Sequence, residues 1–460
     1  MSVNLTGKDI LIKAINNKET PRPAWVPFVG VHGGKIINEK ADRYLRSSEL
    51  IVAGLNKAMD LYRPDGLPVV FDLQIEAEIL GCELHWADEV PPSVISHPLE
   101  SISLDQLPPF STENGRFPLI KEAMKQLKID FANEVALYGL ITGPFTLALH
   151  LLGNNIFLDM LMEPEKVKSL LTYCSDIGKM SAEFYVDNGA DIIAIVDPMT
   201  SQISPVHFAE FVSPYVNRIF DYVRSRKVYS SMFVCGDAAK NLEVMFKTNC
   251  NYVSIDENIP LEKVKLLSAA ENKAFGGNLK LTSVLLFGSV TDSKLHAIDN
   301  IDMGGNRGFI LSPGCDLPYG CPEENLQGVT DMVLDEYQRE IARNTLKAGE
   351  VENLDHIVLE DYAGNKYITV EVGTLDSTSC APCQYMYEAA VKAAEDFGDK
   401  VKVIEHKIST KEGLGYMMKL GITSIPTICI DGDVAFSSII PDQESLKKSF
   451  RERLSAKQNK

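Results

Sequence analysis

Short apolar runs alternate with longer amphipathic segments from about Thr6 to Lys347. Each run has the length of a buried parallel strand and is rich in β-branched or aromatic residues. The intervening segments repeat apolar residues at helical spacing, as in Glu165–Asn188 and Pro205–Arg226. Repeated βα units of this kind predict an α/β fold, here a (β/α)8 TIM barrel over residues 1–347. The apolar runs include Leu67–Phe71, Ala136–Ile141, Ile192–Val196, Val228–Val234, Tyr252–Ile255 and Phe309–Leu311.

Several of these runs are followed by a polar or reactive residue. In a barrel the carboxyl ends of the strands share one rim, where active sites are built. Asp and Gly-Pro also make turns and helix caps, which explains any single case. Six cases together favour a shared pocket. The residues are Asp72, Thr142-Gly143-Pro144, Asp197-Pro198, Cys235, Asp256-Glu257 and Cys315.

Charge and cysteine content narrow the functions open to the chain. The formal net charge is −18, which argues against binding nucleic acid or an anionic membrane. Met1–Lys18 contains no apolar segment typical of a signal peptide, and the apolar runs are too short to span a bilayer. We therefore expect a cytoplasmic protein. In that reducing compartment the nine cysteines indicate buried apolar residues, metal ligands or redox centres rather than a disulfide framework.

The last part of the chain has a different pattern. The polar, Glu-rich stretch Leu346–Asp355 predicts a linker at 348–356 and a separate domain at 357–460. The predicted order of elements there is strand, helix, strand, helix, two strands and a final helix. The predicted bounds are Lys366–Val372, Gln384–Phe397, Val401–Glu405, Lys411–Leu420, Thr427–Ile430, Val434–Ser437 and Asp442–Leu454.

Two cysteines of this second domain form a C-x-x-C motif at the start of a predicted helix. Cys380 and Cys383 flank Ala-Pro, and the helix dipole lowers the pKa of a thiol at its N-terminus. Cys380 would then attack a disulfide and Cys383 would resolve the mixed disulfide. A structural metal half-site and a scaffold used only for docking are the alternatives. With Ser424–Thr427 before a strand, the motif resembles the thioredoxin and glutaredoxin family, in which the equivalent of Pro426 is usually cis and lies beside the cysteines.

Three barrel segments carry a second resemblance. They are F-V-C-G-D at Phe233–Asp237, S-I-D-E at Ser254–Glu257 and S-P-G-C-D-L-P at Ser312–Pro318. Together they are similar to the uroporphyrinogen decarboxylase superfamily, specifically its cobamide-dependent methyltransferase branch. Asp72–Gly81, Gly143–Leu147 and Asp197-Pro198 support the resemblance, which runs through nearly the whole barrel.

The resemblance implies a catalytic zinc. The family holds it with H-x-C, a later Glu and a distant Cys. Cys235 matches the cysteine of H-x-C, Glu257 matches the Glu and Cys315 matches the distant Cys. Zinc bound by thiolates and a carboxylate lets a coordinated thiol lose its proton yet stay nucleophilic. The family histidine falls at Phe233, which cannot ligate. Zinc then has three protein ligands and an open position, or the metal site is lost, or another residue completes it. The candidates are Asp256, His32, His150 and Cys321.

The resemblance also implies the reaction. A methyl group would pass between a methylcobamide and a small-molecule methyl donor or thiol acceptor. The chain has no D-x-H-x-x-G motif, so the corrinoid would be bound in trans on a corrinoid protein. Asp72 and Glu76 would share a face if helical and could serve as acid/base groups, or could be a solvated helix start. We expect Asp197 and Pro426 to be cofactor-binding residues.

Two other functions compete with methyl transfer. Uroporphyrinogen decarboxylase activity needs cations for the propionates, and the family's arginines are absent from Trp25–His32. Alternatively the barrel has been repurposed in a binding or thiol-disulfide redox protein, with a thiol-disulfide partner for Cys380 and Cys383. Phe233 favours this alternative, and the retained Cys235, Glu257 and Cys315 oppose it.

Overall fold

The computed structural model describes residues 5–347, 356–378 and 380–458. The chain divides into two compact units, and the described residues up to 347, apart from Ser201–Ile203, belong to the first unit, whereas those from 356 onward belong to the second. The predicted linker at 348–356 lies outside the described residues except for His356. The predicted fold class is confirmed, because a TIM-like barrel is followed by a separate α/β domain.

The strands are numbered in chain order. Eight of them form one parallel sheet in the order β1-β10-β9-β8-β7-β6-β5-β2, and their residues are almost all buried. β3 and β4 form a small hairpin outside the barrel. The strands are β1 Ala24–Trp25, β2 Gly66–Pro68, β3 Leu84–His85, β4 Ser93–Val94, β5 Ala136–Thr142, β6 Ile192–Val196, β7 Tyr229–Val234, β8 Tyr252–Ile255, β9 Ala274–Leu279, β10 Phe309–Pro313, β11 Ile368–Thr374, β12 Val401–Lys407, β13 Thr427–Ile430 and β14 Asp433–Ser437.

Asp65 links the two end strands, β1 and β2. Its N–H donates to the carbonyl of Trp25 at 2.8 Å, and its own carbonyl accepts from Ala136 N–H at 3.0 Å. Its carboxylate accepts from Trp25 N–H at 2.8 Å and from both terminal nitrogens of Arg22 at 2.6 and 2.7 Å. β1 and β2 do not pair directly with each other, so strand pairing alone leaves the barrel open between them. The hydrogen bonds of Asp65 bridge this gap.

Helices surround the sheet, and one predicted helix is interrupted. Pro205–Arg226 is wrong as a single helix, because the structure has two helices that meet at Val212. Pro214 follows the break and has no N–H to continue the first ladder of hydrogen bonds. The helices are α1 Gly7–Ile15, α2 His32–Lys35, α3 Ala41–Tyr44, α4 Ser48–Tyr62, α5 Ile75–Ile79, α6 Phe117–Phe131, α7 Pro144–Leu152, α8 Asn155–Met162, α9 Pro164–Asp187, α10 Pro205–Phe211, α11 Ser213–Ser225, α12 Leu242–Phe246, α13 Leu261–Glu271, α14 Val290–Gly304, α15 Glu323–Leu334, α16 Glu336–Thr345, α17 Ala381–Glu395, α18 Lys411–Lys419 and α19 Gln443–Gln458.

An aromatic cluster fills the interior of the barrel. Phe233 lies 4.9 Å from Phe28 and 6.0 Å from Phe71 between ring centroids, and Phe28 lies 5.9 Å from Tyr138. All four side chains are buried. Edge-to-face and tilted arrangements of this kind are the favourable geometries for aromatic rings.

The second unit is a four-stranded sheet in the order β12-β11-β13-β14. β11 and β12 are parallel, and the other two pairings are antiparallel. Apolar residues of α17 and α19, including Met386 and Phe450, pack against Val370 and Ile428 of this sheet. The Ile425–Pro426 peptide is cis, as the thioredoxin resemblance implies.

Across the part of the chain that the structure describes, no single helix combines the length and apolar character needed to cross a membrane. α7 and α8 reach that length and composition only as a pair, and their axes are bent by 106°.

Candidate functional site

Cys235 and Cys315 meet at the rim of the barrel although 80 residues separate them in sequence. Cys235 directly follows β7 and Cys315 follows β10 by one residue. Their sulfurs are joined in a disulfide, with the Cα atoms 5.7 Å apart. Both residues are half-buried and pack against the aromatic cluster that contains Phe233. The predicted meeting of rim loops therefore occurs, and it brings two sulfurs together.

Glu257 lies in the loop after β8, next to the Cys315 loop. A side chain at Gly314 would clash with the amide nitrogen of Glu257, so a glycine is needed for the two loops to approach this closely. The Glu257 carboxylate accepts a hydrogen bond from the N–H of Leu281. Burial of the carboxylate and the nearby charge of Asp256 raise the pKa of Glu257 to about 8.

The donor set as found here does not fit zinc. Zinc takes thiolate sulfur, and the sulfurs of Cys235 and Cys315 are bonded to each other. Within residues 5–347, 356–378 and 380–458, no three His, Cys, Asp or Glu side chains are grouped so that they could hold a metal ion. No chemical step can therefore be derived through zinc for the chain in this state.

None of the four candidates for a further ligand completes such a group. His32 has both ring nitrogens occupied, by Tyr62 Oη at 2.8 Å and the Tyr319 carbonyl at 3.1 Å. Burial lowers the pKa of His32 to about 4, so the ring is neutral. The remaining three candidates are engaged or enclosed elsewhere. Asp256 accepts from Gly236 N–H and Asn258, Cys321 donates to the carbonyl of Leu285, and His150 is buried within α7.

Asp72 and Glu76 lie close enough to interact electrostatically, in a second group of buried charged side chains. Asp72 precedes α5 rather than belonging to it, and Arg116 binds its carboxylate. Glu76 accepts a hydrogen bond from the Thr142 hydroxyl at 2.8 Å, and burial raises its pKa. Each carboxylate residue is only 2% exposed. The alternative of a solvated helix start is therefore wrong, because both groups are enclosed and partnered by the protein.

Arg116 was not predicted from the sequence. It lies just before α6 and is far in sequence from the end of any strand. Its guanidinium also binds the carboxylate of Glu78, at 2.9 Å. Its remaining terminal nitrogen, Nη2, is buried without a hydrogen-bond partner. The guanidinium carbon is 4.9 Å from the centre of the Trp86 ring. A second unpredicted group is the carboxylate of Asp316, which follows Cys315 in sequence. Burial raises the pKa of Asp316 well above its usual range.

Asp197 follows β6 and is completely buried. Its carboxylate accepts from the N–H and the hydroxyl of Thr146 at 2.8 and 2.6 Å and from Phe145 N–H at 3.3 Å. These are N–H groups of the first turn of α7, so Asp197 caps that helix from the neighbouring strand. Its role as a cofactor-binding residue stays a prediction.

The cysteine pair of the second unit has the asymmetry typical of an attacking and a resolving thiol. Cys380 is half-buried and precedes α17, whereas Cys383 is buried in its first turn. The two form a disulfide, and Cys383 Sγ accepts from Leu375 N–H at 3.3 Å. Pro426 directly precedes β13, which pairs with the end of β11 close to Leu375.

Comparison with known proteins identifies both units. Residues 6–335 match the family uroporphyrinogen decarboxylase (URO-D), and residues 368–451 match the thioredoxin domain. The chain belongs to the uroporphyrinogen decarboxylase family. The methylcobamide:CoM methyltransferase MtbA of Methanosarcina acetivorans is 32% identical over 271 residues, which cover 58% of this chain and 78% of that protein. The predicted membership of the cobamide-dependent methyltransferase branch, with a thioredoxin domain attached, is thereby confirmed.

Two other proteins illustrate how far the family likeness extends. The uroporphyrinogen decarboxylase of Prochlorococcus marinus is 24% identical over 332 residues, which cover 69% of this chain and 93% of that protein. A solved structure of a methyltransferase from Methanosarcina mazei superposes with a TM-score of 0.65 at 22% identity. It covers 73% of this chain and all of that chain, which shows a shared fold.

Proposed function

We propose that the barrel is a corrinoid-dependent methyltransferase. It passes a methyl group between a small methyl donor or thiol acceptor and a corrinoid protein bound in trans. The observation that carries the proposal is the 32% identity to a methylcobamide:CoM methyltransferase over 271 residues. Trp25–His32 lacks the arginines that decarboxylation of a propionate-bearing substrate would need, which favours this branch over uroporphyrinogen decarboxylase activity.

The buried carboxylates of the rim supply the proton chemistry in this proposal. Methyl transfer to a thiol releases the thiol proton, and a group must accept it. Glu76 is suited to that role because burial raises its pKa, which makes its carboxylate a stronger base than one exposed to water. Arg116 binds Asp72 and Glu78 at once, and its free Nη2 is a donor for an anionic group of the substrate. In this proposal, Asp72 and Arg116 orient the substrate and Glu76 exchanges the proton.

Methyl transfer can be measured directly with methylcobalamin and CoM, the thiol in the name of the Methanosarcina relative. The chain is reduced anaerobically, and loss of methylcobalamin is followed by absorbance. We expect thiol-dependent loss in the wild type and a fall of at least about tenfold in Glu76→Gln. Glu340→Gln, on the exposed face of α16, is the matched control and should keep wild-type activity.

Two results would count against the proposal. The first is the absence of methyl transfer in both directions with the fully reduced wild type. The second is equal activity of Glu76→Gln and Glu340→Gln, which would leave methyl transfer standing but remove Glu76 from it.

A further inference from the structure

The nine cysteines fall into two classes. Five are unpaired and buried, namely Cys82, Cys174, Cys250, Cys321 and Cys429. The other four form two disulfides, and three of those four are half-buried rather than buried. A thiolate from solvent can reach a sulfur only where that sulfur is accessible. Cys235, Cys315 and Cys380 are therefore the cysteines that a thiolate from solvent reaches most readily.

The barrel pair is held together by more than its own bond. Gly236, next to Cys235, donates its N–H to Asp256 at 2.8 Å. Gly314, next to Cys315, packs against the backbone of Glu257. Both loops are thus fixed to the loop after β8. This anchoring keeps the two sulfurs close when the S–S bond is broken, so re-formation costs little chain entropy. Such a pair is suited to reversible oxidation.

We infer that Cys235 and Cys315 form a redox-active dithiol pair that is reduced by the Cys380–Cys383 dithiol of the same protein. We reach this assignment because Cys235 and Cys315 are bonded to each other and so cannot supply the thiolates that zinc would need. The inference does not depend on methyl transfer, since the exchange needs only the four cysteines.

The exchange proceeds in two balanced steps. The Cys380 thiolate attacks one sulfur of the Cys235–Cys315 bond; a mixed disulfide forms, and the expelled thiolate takes up a proton. The Cys383 thiolate then attacks Cys380, which forms the Cys380–Cys383 disulfide and releases the second barrel thiol. Two electrons and two protons pass to the barrel pair in total. A dithiol such as dithiothreitol supplies them by reducing the Cys380–Cys383 disulfide before each exchange, and a thiol oxidant such as diamide re-forms the Cys235–Cys315 bond.

The rate of barrel reduction tests the inference in the full chain. The protein is oxidised with diamide, treated with a limiting amount of dithiothreitol and quenched with an alkylating agent at intervals. Mass spectrometry of the peptides then reports free thiol at Cys235 and Cys315. We expect reduction to be at least about tenfold slower in the Cys380→Ser/Cys383→Ser variant than in the wild type. Cys321→Ser, which removes a buried thiol of the barrel unit, should react at the wild-type rate.

A single substitution gives an independent measurement. In Cys383→Ser the mixed disulfide has no resolving thiol, so a bond from Cys380 to Cys235 or Cys315 should accumulate. Peptide mapping without reductant detects it, and the Cys380→Ser/Cys383→Ser variant should lack it. Equal reduction rates with and without the C-x-x-C cysteines would overturn the inference, and so would a Cys383→Ser chain in which Cys380 never joins a barrel cysteine. Failure of the methyl-transfer assay would leave both measurements unaffected.

Discussion

The ring centroid of Phe233 lies 4.9 Å from that of Phe28, inside the barrel. In sequence, Phe233 stands two residues before Cys235. The family resemblance of the sequence predicts a metal-binding histidine at this position. The structure explains why phenylalanine is stable there: Phe71 and Tyr138 complete an apolar cluster around Phe28, and Phe233 is fully buried. An imidazole at position 233 would be buried against the apolar rings of Phe28 and Phe71.

We expect Phe233→His to destabilise the barrel rather than to restore a metal site. Burying an imidazole in an apolar cluster should lower the free energy of unfolding by about 3 kcal/mol. Phe233→Leu is the control, because it keeps the site apolar and should cost less. Urea unfolding can be followed by tryptophan fluorescence, since both tryptophans, Trp25 and Trp86, lie in the barrel unit. A Phe233→His chain as stable as Phe233→Leu would show that the site tolerates a polar ring.

The contact between Gly314 and Glu257 leads to a second prediction. A methyl group at 314 would push the loop after β10 away from the loop after β8. We expect Gly314→Ala to slow diamide-driven formation of the Cys235–Cys315 disulfide by about tenfold, because the sulfurs would be held further apart. Gly320→Ala is the matched control, since the nearest atom to its added methyl is 3.8 Å away. Equal rates of bond formation in the two variants would mean that the Gly314 contact does not position Cys315.

Arg116 is the cation for Asp72, and both side chains are nearly inaccessible, with 7% and 0% of their surface exposed. Arg116→Met leaves the Asp72 carboxylate buried without a charge partner. We expect a loss of about 3–5 kcal/mol in the free energy of unfolding, measured by urea denaturation. Arg343→Met removes an exposed pair with Asp302 and should cost about 1 kcal/mol or less. Similar losses in the two variants would argue against a buried ion pair at Asp72.

The different burial of the two C-x-x-C sulfurs predicts an order of labelling. In the reduced chain, iodoacetamide should modify Cys380 well before Cys383, because Cys380 is the half-buried member. Cys429, buried in β13, should remain unmodified until the domain unfolds. Time-resolved peptide mass spectrometry gives all three rates in one experiment. Modification of Cys383 before Cys380 would reverse the assigned roles.

Much of the fold follows from the sequence, and the exceptions have physical reasons. The apolar runs predict six barrel strands, but β1 has only two residues and β9, Ala-Phe-Gly-Gly-Asn-Leu, contains two glycines that disguise its pattern. The meeting of Cys235 with Cys315 follows in part from barrel topology, since both come after parallel strands whose carboxyl ends share one rim. The bond between them does not, because topology places loops at one rim without fixing a sulfur–sulfur distance. Arg116 reaches Asp72 through helix packing, which leaves no local sequence signal.

Asp197 gives a prediction about pH. Complete burial raises the pKa of its carboxyl to about 6, although three hydrogen bonds from Thr146 and Phe145 oppose that rise. An unfolded chain has an Asp pKa near the usual value of about 4. Between about pH 4 and pH 6 the folded state therefore binds more protons than the unfolded state. The contribution of Asp197 to the free energy of unfolding must therefore fall by about 3 kcal/mol as the pH rises from about 4 to 6. Above about pH 6 this contribution no longer changes with pH.

Replacing the carboxyl with an amide removes this contribution. Asp197→Asn keeps one oxygen to accept from Thr146, and it cannot ionise. We expect the difference in unfolding free energy between wild type and Asp197→Asn to change by about 3 kcal/mol from pH 4 to pH 6, in the direction that disfavours the wild type at the higher pH. Groups common to both chains cancel in this difference. Urea unfolding of both proteins across the window, followed by tryptophan fluorescence, measures it, and a difference independent of pH would show that Asp197 titrates normally.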